Sequence, residues 1–223
     1  MTDGLSLEIT LLSDTTFGRG DGVVGLVDEE IEHDAQTGLP IIRGRTLKGL
    51  LVEACADILY ALGNPETWTK EAEWLFGKSG SDLSSQAHMR IGRAELPSDL
   101  VHHVRYKVDE KEELTATQIL ESLTSIRRQT AVDEARFGVP QDRSLRSARV
   151  LMRGLTLSAP LAFDQTPTER QLALLAACAA GVKRGGSGRN RGRGRLRVAL
   201  KGAQQSHEKL LKFFGKEIGV AQA

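Results

Sequence analysis

The fold is decided by the stretch Leu39-Pro-Ile-Ile-Arg-Gly-Arg-Thr-Leu-Lys-Gly49, which runs directly into an amphipathic helix. Apolar residues keep helical spacing from Leu47 to Leu62. Thr46 is placed to cap this helix, and Gly63-Asn64-Pro65 is expected to end it. The stretch therefore predicts a tight turn that presents backbone N–H groups and cations at a helix N-terminus. Such an arrangement suits a chain of phosphates.

The cations of this stretch stand where an ordinary helix would not place them. Arg45 and Lys48 fall in the first helical turn, where positive charge opposes the helix dipole. An anion bound between them would explain their position, and Arg43 lies just ahead of the helix as a further contact. The spacing is not that of a Walker phosphate-binding motif.

A second cationic element, residues 182–195, lies near the other end of the chain, and we call it the glycine-arginine loop. Its glycines let the backbone approach a phosphate closely, and arginine forks match phosphate oxygens. The alternative is a flexible, solvated linker. We favour nucleic-acid contact because the loop joins a helix to a core strand and is therefore held at both ends. The expected contacts are Arg184, Arg189, Arg191 and Arg193.

The composition limits the class of protein. A chain of 223 residues, 40% of them hydrophobic, is long enough for one domain with insertions or for two small ones. Aromatic residues make up 4%, which argues against a surface that stacks bases on exposed rings. The formal net charge is only +1, so positive charge is local and acid is gathered elsewhere, in residues 28–34 and 109–113. This segregation suits a protein that holds nucleic acid on one face and packs against other proteins with the rest.

The cysteines and apolar segments predict a cytoplasmic protein without membrane contact. Cys55 and Cys178 fall in helical patterns and lack metal-ligand spacing, so we expect buried free thiols. We expect neither a signal sequence nor a membrane span, because no apolar run is long enough.

The predicted order of elements is strand, helix, strand, insertion, strand, helix, strand. Strand patterns cover residues 5–11, 89–96, 151–163 and 196–200, and a capping box at Thr166-Pro167-Thr168-Glu169 begins the second main helix. This order predicts an α+β, ferredoxin-like (RRM-like) antiparallel sheet backed by two helices, a fold whose free face often binds RNA. We expect one domain over residues 1–223. It carries a polar insertion at about 98–147 and a C-terminal helix at about 206–217. Shorter helices are expected at Lys70 to Phe76 and at Ala116 to Leu123.

Acidic residues between the two cationic elements supply the candidate chemistry. A carboxylate beside an RNA backbone can hold a divalent cation or orient a 2′-hydroxyl for in-line attack. Spacing alone does not choose among Asp28, Glu29, Glu30, Glu32 and Asp34. The five histidines are scattered, with no pattern that marks a general base.

Taken together and in this order, the motifs resemble those of the RAMP superfamily of CRISPR proteins. Family members carry Pro-x-Ile-Pro-Gly-Ser-Ser-Leu-Lys-Gly at the first helix, matched here by Pro40 to Gly49. They carry Leu-Phe-Gly before the next strand, matched by Leu75 to Gly77, and a glycine-rich run after the second helix, matched by Gly185 to Gly194. The chain looks most like the backbone subunit of type III effector complexes that cleaves target RNA. Gly-Arg-Thr in place of Gly-Ser-Ser indicates a divergent subgroup.

The resemblance implies a site and a reaction. The family's catalytic aspartate falls on Asp28, and its second carboxylate falls on Asp34. These two residues would hold a divalent cation, Mg²⁺ or Mn²⁺, for attack of the target's 2′-hydroxyl on the adjacent phosphate. The insertion corresponds to the family's thumb, whose contact strand resembles Thr124-Ser-Ile-Arg-Arg128 followed by Thr130-Ala131, so Arg127 and Arg128 join the RNA-binding residues. Arg19 stands near the position of a histidine that is common in the family.

The implied partners are a CRISPR guide RNA, a single-stranded target RNA, and the further backbone, small and large subunits of an effector complex. Two alternatives stay open. One is a non-catalytic, structural RNA-binding subunit of the same complex. The other is a guide-processing ribonuclease that relies on a histidine base.

Overall fold

The computed structural model describes residues 4–78, 86–111, 113–130, 132–133, 139–140 and 144–219. In chain order its strands are β1 (Ser6–Leu11), β2 (Met89–Ile91), β3 (Thr124–Gln129), β4 (Val132–Asp133), β5 (Val139–Pro140), β6 (Arg146–Leu151), β7 (Thr156–Phe163) and β8 (Leu196–Lys201). Its helices are α1 (Gly44–Ala61), α2 (Glu66–Phe76), α3 (Ser98–Arg105), α4 (Ala116–Leu123), α5 (Glu169–Gly181) and α6 (His207–Glu217). A π-helical turn, Tyr106–Glu110, continues α3.

A four-stranded antiparallel sheet organises the molecule, with strand order β2-β7-β1-β8. In the centre, β1 pairs with both β7 and β8 and places Leu7 opposite Ala159 and Leu200. At one edge, β2 pairs with β7. The chain order β1-α1-β2 followed by β7-α5-β8 agrees with the predicted α+β arrangement of an antiparallel sheet backed by two helices. Two further pairs, β3 with β6 and β4 with β5, lie between β2 and β7 in the sequence.

The core is built from one face of the sheet and the helices that cover it. Alternate residues of β1, namely Leu7, Ile9 and Leu11, are buried, as the period of a strand requires. Helix α5 is buried from Ala173 to Ala179 because it contacts β8 as well as α1, α2 and α6. Cys55 and Cys178 are buried and form no disulfide, as predicted.

The starts of two helices differ from the prediction. Helix α1 begins at Gly44, two positions before the predicted cap Thr46, and Arg43 occupies the N-cap without a side-chain hydrogen bond. This first turn packs closely on β2, since a Cβ on Gly44 would overlap the carbonyl oxygen of Ile91. The capping box of α5 pairs Thr168 with Gln171, so the predicted box at Thr166 and Glu169 is wrong by two residues.

Three other boundaries also differ. The strand predicted over 89–96 ends at Ile91, because the next partner on β7 is Pro160, which has no N–H to return a ladder hydrogen bond. The segment predicted as one pattern from 151 to 163 is two strands, β6 and β7, separated by a turn in which Gly154 has φ +92°. Helix α2 begins at Glu66, directly after Pro65, rather than at Lys70.

Parts of the predicted insertion are also present. Helix α4 covers the predicted Ala116 to Leu123, and β3 covers Thr124 to Arg128 of the predicted contact strand, whereas Ala131 lies outside the described residues. The closing helix α6 begins after Ser206, whose hydroxyl caps it, as the sequence predicts. Among the described residues, no helix combines the length and apolar character needed to cross a membrane.

Candidate nucleic-acid interface

The segment that carries Asp28 is attached to the edge of β6. The backbone N–H groups of Asp28 and Glu29 donate to the Ser147 carbonyl at 3.0 and 3.1 Å. In return, the N–H of Arg149 donates to the Glu29 carbonyl at 3.0 Å. Asp28 therefore has a fixed backbone position although it lies outside any strand.

The Asp28 side chain is exposed and charged. Its Oδ2 accepts the backbone N–H of Ser147 at 2.6 Å and the Ser147 hydroxyl at 3.0 Å. The backbone hydrogen bond, followed by the hydroxyl bond, holds the pKa of Asp28 below its usual value. The carboxylate is thus ionised at neutral pH.

Two residues further along, Glu30 makes a buried ion pair with the same strand. Arg149 Nε donates to both Glu30 carboxylate oxygens, at 2.8 and 3.0 Å. Arg149 Nη1 also donates to the Thr124 hydroxyl of β3 at 3.2 Å. The Asp28 segment is therefore linked to both strands of the β3–β6 pair.

The glycine-arginine loop forms the opposite side of the same region. Its ends are joined by the backbone bond from Gly185 N–H to the Gly194 carbonyl, at 2.9 Å. Its middle is held by the Ser187 N–H, which donates to the Thr16 carbonyl at 2.8 Å. Gly186, with φ +78°, lies so close to Thr16 that a side chain there would overlap the Thr16 carbonyl. The loop is an ordered element and not a flexible linker.

A direct contact closes the gap between the two segments, because the Ser187 hydroxyl donates to the Glu29 carboxylate. Between them lies a cleft of about 540 Å³. Its lining carries two carboxylates together with cations from the loop and from β3 and β6: Asp28, Glu29, Arg127, Arg146, Arg189, Arg191 and Arg193. The structure thus brings the glycine-arginine loop and Asp28 to one cleft, although they are far apart in the sequence.

A second cleft, of about 760 Å³, continues past β3. It shares Arg127, Gln129 and Arg193 with the first cleft and adds Arg128 and Arg153. Arg127 donates to the Asp14 carboxylate at 2.6 Å. Neither cleft includes a histidine among its described lining residues. Together the two clefts form a track with cations along its length. Asp28 and Glu29 lie in the first cleft, and Asp14, which is paired with Arg127, lies in the second.

The chain is similar to known proteins both in sequence and in fold. The model of the RAMP superfamily matches residues 8–197. The chain belongs to the RAMP superfamily. This confirms the membership that the motifs predicted. A comparison of the sequence with curated proteins finds no match.

Solved structures similar to this RAMP protein share its fold at low sequence identity. A chain of the cryo-EM structure of type III-B Cmr-beta bound to cognate target RNA matches with a TM-score of 0.62 and 10% identity. The match covers 93% of this chain and 98% of that one. A chain of the apo type III-B Cmr-beta structure matches with a TM-score of 0.60 and 13% identity, over 88% and 96% of the two chains. A chain of a type IV-B CRISPR complex matches with a TM-score of 0.54 and 15% sequence identity, and the match covers 90% of this chain and 91% of that one.

The predicted RNA-binding residues of the RAMP protein fall into three groups. Five lie along the two clefts: Arg127, Arg128, Arg189, Arg191 and Arg193. Arg184 lies on the α1 side of the loop and donates to the Arg189 carbonyl at 2.6 Å. The remaining four, which like Arg184 lie outside both clefts, are Arg19, Arg43, Arg45 and Lys48. Of these four, Arg19 pairs with Asp21 and Arg43 pairs with Glu32, whereas Arg45 and Lys48 make no ion pair with any described residue.

Within the loop, the arginines have different environments. Arg189 donates to Glu53 of α1 at 2.7 Å, which anchors the loop to that helix. Arg191 is exposed. The Nε and Nη1 atoms of Arg193 are buried and have no hydrogen-bond acceptor among the described residues. Unsatisfied buried donors are rare in folded proteins and favour a bound acceptor such as a phosphate oxygen.

Asp34, the second predicted metal ligand, does not line the cleft that holds Asp28. Its Oδ1 accepts the Thr37 N–H and hydroxyl, each at 2.9 Å, and the Gln36 N–H at 3.1 Å. The backbone bond from Thr37 is the main reason that the pKa of Asp34 lies below its usual value. Asp34 closes a tight turn here. The structure brings Glu29, and not Asp34, beside Asp28.

Several residues of the interface were not predicted from the sequence. Arg146, Ser147 and Arg149 were assigned to the insertion or left without a role, yet they form the edge on which Asp28 lies. One signal was present, since Arg149 stands between the apolar Ala148 and Val150. A charge inside an apolar run needs a buried partner, and here that partner is Glu30.

Proposed function

We propose that this RAMP protein is a guide-RNA-binding backbone subunit of a type III CRISPR effector complex, and that it cleaves complementary target RNA in a metal-dependent reaction at Asp28. The observation that carries the proposal is the single cleft in which an ionised Asp28 faces the glycine-arginine loop. The fold shared with chains of two type III-B Cmr-beta structures, one of them the complex bound to cognate target RNA, supports the same assignment.

The charges of the cleft suit a nucleic-acid backbone. Arginines on three separate elements face it, and arginine recognises phosphate oxygens through its planar fork of donors. The loop also exposes backbone at glycines, so a phosphate can come close. Asp28 is the exposed carboxylate that faces the glycine-arginine loop, whereas Asp14 of the second cleft is paired with Arg127, so Asp28 can distinguish one phosphodiester from the others.

The proposed reaction is an in-line displacement within the target RNA. The 2′-oxygen forms a bond to the adjacent phosphorus while the bond to the 5′-oxygen breaks. The products are a 2′,3′-cyclic phosphate and a 5′-hydroxyl, and the proton of the 2′-hydroxyl ends on the leaving oxygen or on solvent. Asp28 is a weak base because its pKa is lowered. Its negative charge is better suited to orienting the hydroxyl or to holding a cation.

The residues present fit a magnesium-like cation at Asp28. Mg²⁺ is typically held by one or two carboxylates together with substrate phosphates and water. Asp28 Oδ2 is occupied by Ser147, but Oδ1 has no hydrogen bond from a described residue, and Glu29 lies beside it in the cleft. We therefore place the cation at Asp28, with Glu29 in the position proposed earlier for Asp34. When bound, the cation would offset negative charge that develops on the phosphate.

The test is the Asp28→Ala variant, assembled with guide RNA into the effector complex. We expect unchanged assembly and target binding, with a cleavage rate at least about 100-fold lower, because a charged group at the reacting phosphate is removed. Asp57→Ala, which removes an exposed carboxylate on α1 outside the cleft, is the matched control. Cleavage by Asp28→Ala at the wild-type rate would contradict the proposal.

A non-catalytic RNA-binding subunit is the second candidate, and two observations favour it. The Asp28 carboxylate accepts both hydrogen bonds from Ser147, so it also holds the segment around Asp28 against β6. In addition, no cluster of three or more metal-ligating side chains occurs within the described ranges. This candidate predicts that the wild-type complex leaves the target intact at this subunit, and that Asp28→Ala changes only stability.

A further inference from the structure

The ion pair between Glu30 and Arg149 lies behind the cleft and not in it. Glu30 is 1% exposed and Arg149 is 5% exposed, so the pair is shielded from water and from RNA. Two charges buried in this way gain little stability over well-packed apolar residues of the same volume. Stability alone therefore does not explain the buried pair, and the contacts of Arg149 indicate another role.

Arg149 is linked, directly or through Thr16, to every segment that builds the cleft. Its guanidinium binds Glu30, next to the Asp28–Glu29 segment, and Thr124 at the start of β3. Its backbone carbonyl accepts the Thr16 hydroxyl at 3.0 Å. Thr16 in turn accepts the N–H of Ser187 in the glycine-arginine loop, at 2.8 Å. One residue thus links the carboxylate segment, the β3–β6 pair and the loop.

The strands that Arg149 joins also bear the cations of the track. Arg127 and Arg128 lie on β3, and Arg146 lies on β6. A displacement of this pair of strands would reach Asp28 through two routes, the Ser147 hydrogen bonds and the Arg149–Glu30 ion pair. The ion pair is the stiffer route, because the Arg149 Nε–H is shared between both oxygens of a buried, charged carboxylate.

We propose that Arg149 and Glu30 form a positioning pair, which fixes the Asp28 carboxylate at its place opposite the glycine-arginine loop and couples that place to the β3–β6 strands. The proposal rests on the function given above for Asp28. Neither member touches RNA. Their effect on cleavage acts through Asp28, and so they are not catalytic residues.

The decisive variant replaces both charges by apolar side chains, Glu30→Leu with Arg149→Met. If the pair served stability alone, this double variant would fold and cleave like the wild type, because buried pairs are commonly replaceable by apolar residues. If the pair positions Asp28, the double variant should still fold like the wild type but should cleave more slowly. At saturating target RNA we expect the cleavage rate to fall about 100-fold, a size typical of small misplacements. Target affinity should stay within about threefold, since no phosphate contact is removed.

A second readout does not depend on cleavage. Carboxyl-carbon NMR titration of Asp28 in the isolated full chain reports whether the Ser147 bonds persist. The double variant and Arg149→Lys, which keeps the charge but loses the guanidinium that binds Glu30 and Thr124 together, should both raise the pKa of Asp28 toward its ordinary value. Lys70→Met, which breaks an exposed ion pair with Glu66 on α2, should leave the cleavage rate and this pKa unchanged.

The outcomes separate the two proposals. Wild-type cleavage and an unshifted Asp28 pKa in the double variant would overturn the positioning role while leaving the proposed function standing. If Asp28→Ala itself cleaves normally, the proposed function fails, and the Asp28 titration alone decides whether the pair positions that carboxylate. A shifted pKa with slow cleavage in the double variant supports both.

Discussion

The Asp28 carboxylate accepts a hydrogen bond from the Ser147 backbone N–H at 2.6 Å, although the two residues are 119 positions apart in the chain. The donor belongs to the backbone, so no ordinary side-chain substitution at position 147 removes it. The ionised state of Asp28 is therefore set mainly by the way its segment lies on β6, and only in part by the Ser147 hydroxyl.

The Ser147→Ala variant separates the contributions of the Ser147 backbone N–H and hydroxyl to the lowered pKa of Asp28. We expect the pKa of Asp28 to rise, because one of two hydrogen bonds to the charged form is lost, but to stay below its ordinary value. Carboxyl-carbon NMR titration measures the change. Ser125→Ala on β3 is the control, since its hydroxyl does not contact Asp28. A full return of the pKa to the ordinary range would show that the backbone bond contributes little.

Acid should destabilise the protein through four carboxyl groups. The pKa values of Asp14, Asp28, Asp34 and Glu53 are lowered in the folded state, so the unfolded chain binds more protons in acid. Their stabilisation is complete above the unfolded pKa of about 4 and is lost as the pH falls through the lower folded values. Urea unfolding between pH 7 and pH 2 measures this. A free energy of unfolding that is flat below pH 4 would contradict it.

Two glycines of the loop should differ in their tolerance of alanine. Both have positive φ, which costs an alanine about 1 to 2 kcal/mol. Gly192 has open space at its Cβ position, whereas a Cβ on Gly186 would overlap the Thr16 carbonyl. We expect Gly192→Ala to cost only the conformational term and Gly186→Ala to cost about 1 to 3 kcal/mol more. Urea unfolding measures the loss of free energy of unfolding in both variants. Equal losses would show that the loop backbone can move away from the Thr16 carbonyl at little cost.

Arg45 and Lys48 make no ion pair with the described residues, which leaves them available for an anion. We expect Arg45→Gln and Lys48→Gln each to weaken binding of single-stranded RNA of guide length. If each residue neutralises one phosphate, the slope of log affinity against log salt should fall in magnitude by about 0.7. Fluorescence anisotropy over a salt series measures this. Lys212→Gln on α6 is the control, and a slope equal to that of the control would remove these residues from the interface.

Local patterns predicted the elements of the fold well. The alternation in β1, the apolar stripe of α1 and the order of elements are properties of neighbouring residues, so the sequence displays them directly. The errors lie where distant packing sets a boundary. The first turn of α1, at Gly44, packs on Ile91, and β2 ends early because it meets Pro160. Neither neighbour can be identified from the local pattern.

The candidate site was predictable only in part. The family resemblance singled out Asp28 and the glycine-arginine loop, and the structure places both at one cleft. The roles of Ser147, Glu29 and Arg149 arise from the register between residues 28–30 and β6, which no spacing within either segment reveals. Asp34 was paired with Asp28 through the family resemblance, yet its carboxylate serves the turn that follows it.

The central position of β1 bears on how the chain is made. Thr10 of β1 meets Thr156 of β7, 146 residues later, and its other edge pairs with β8, which is later still. During translation, β1 must therefore wait for most of the polypeptide to leave the ribosome. Such long-range pairing is slow and exposes unpaired edges meanwhile. We expect nascent chains that lack β8 to depend on chaperones and to be unable to capture RNA, because the glycine-arginine loop, which precedes β8, is not yet held at both ends.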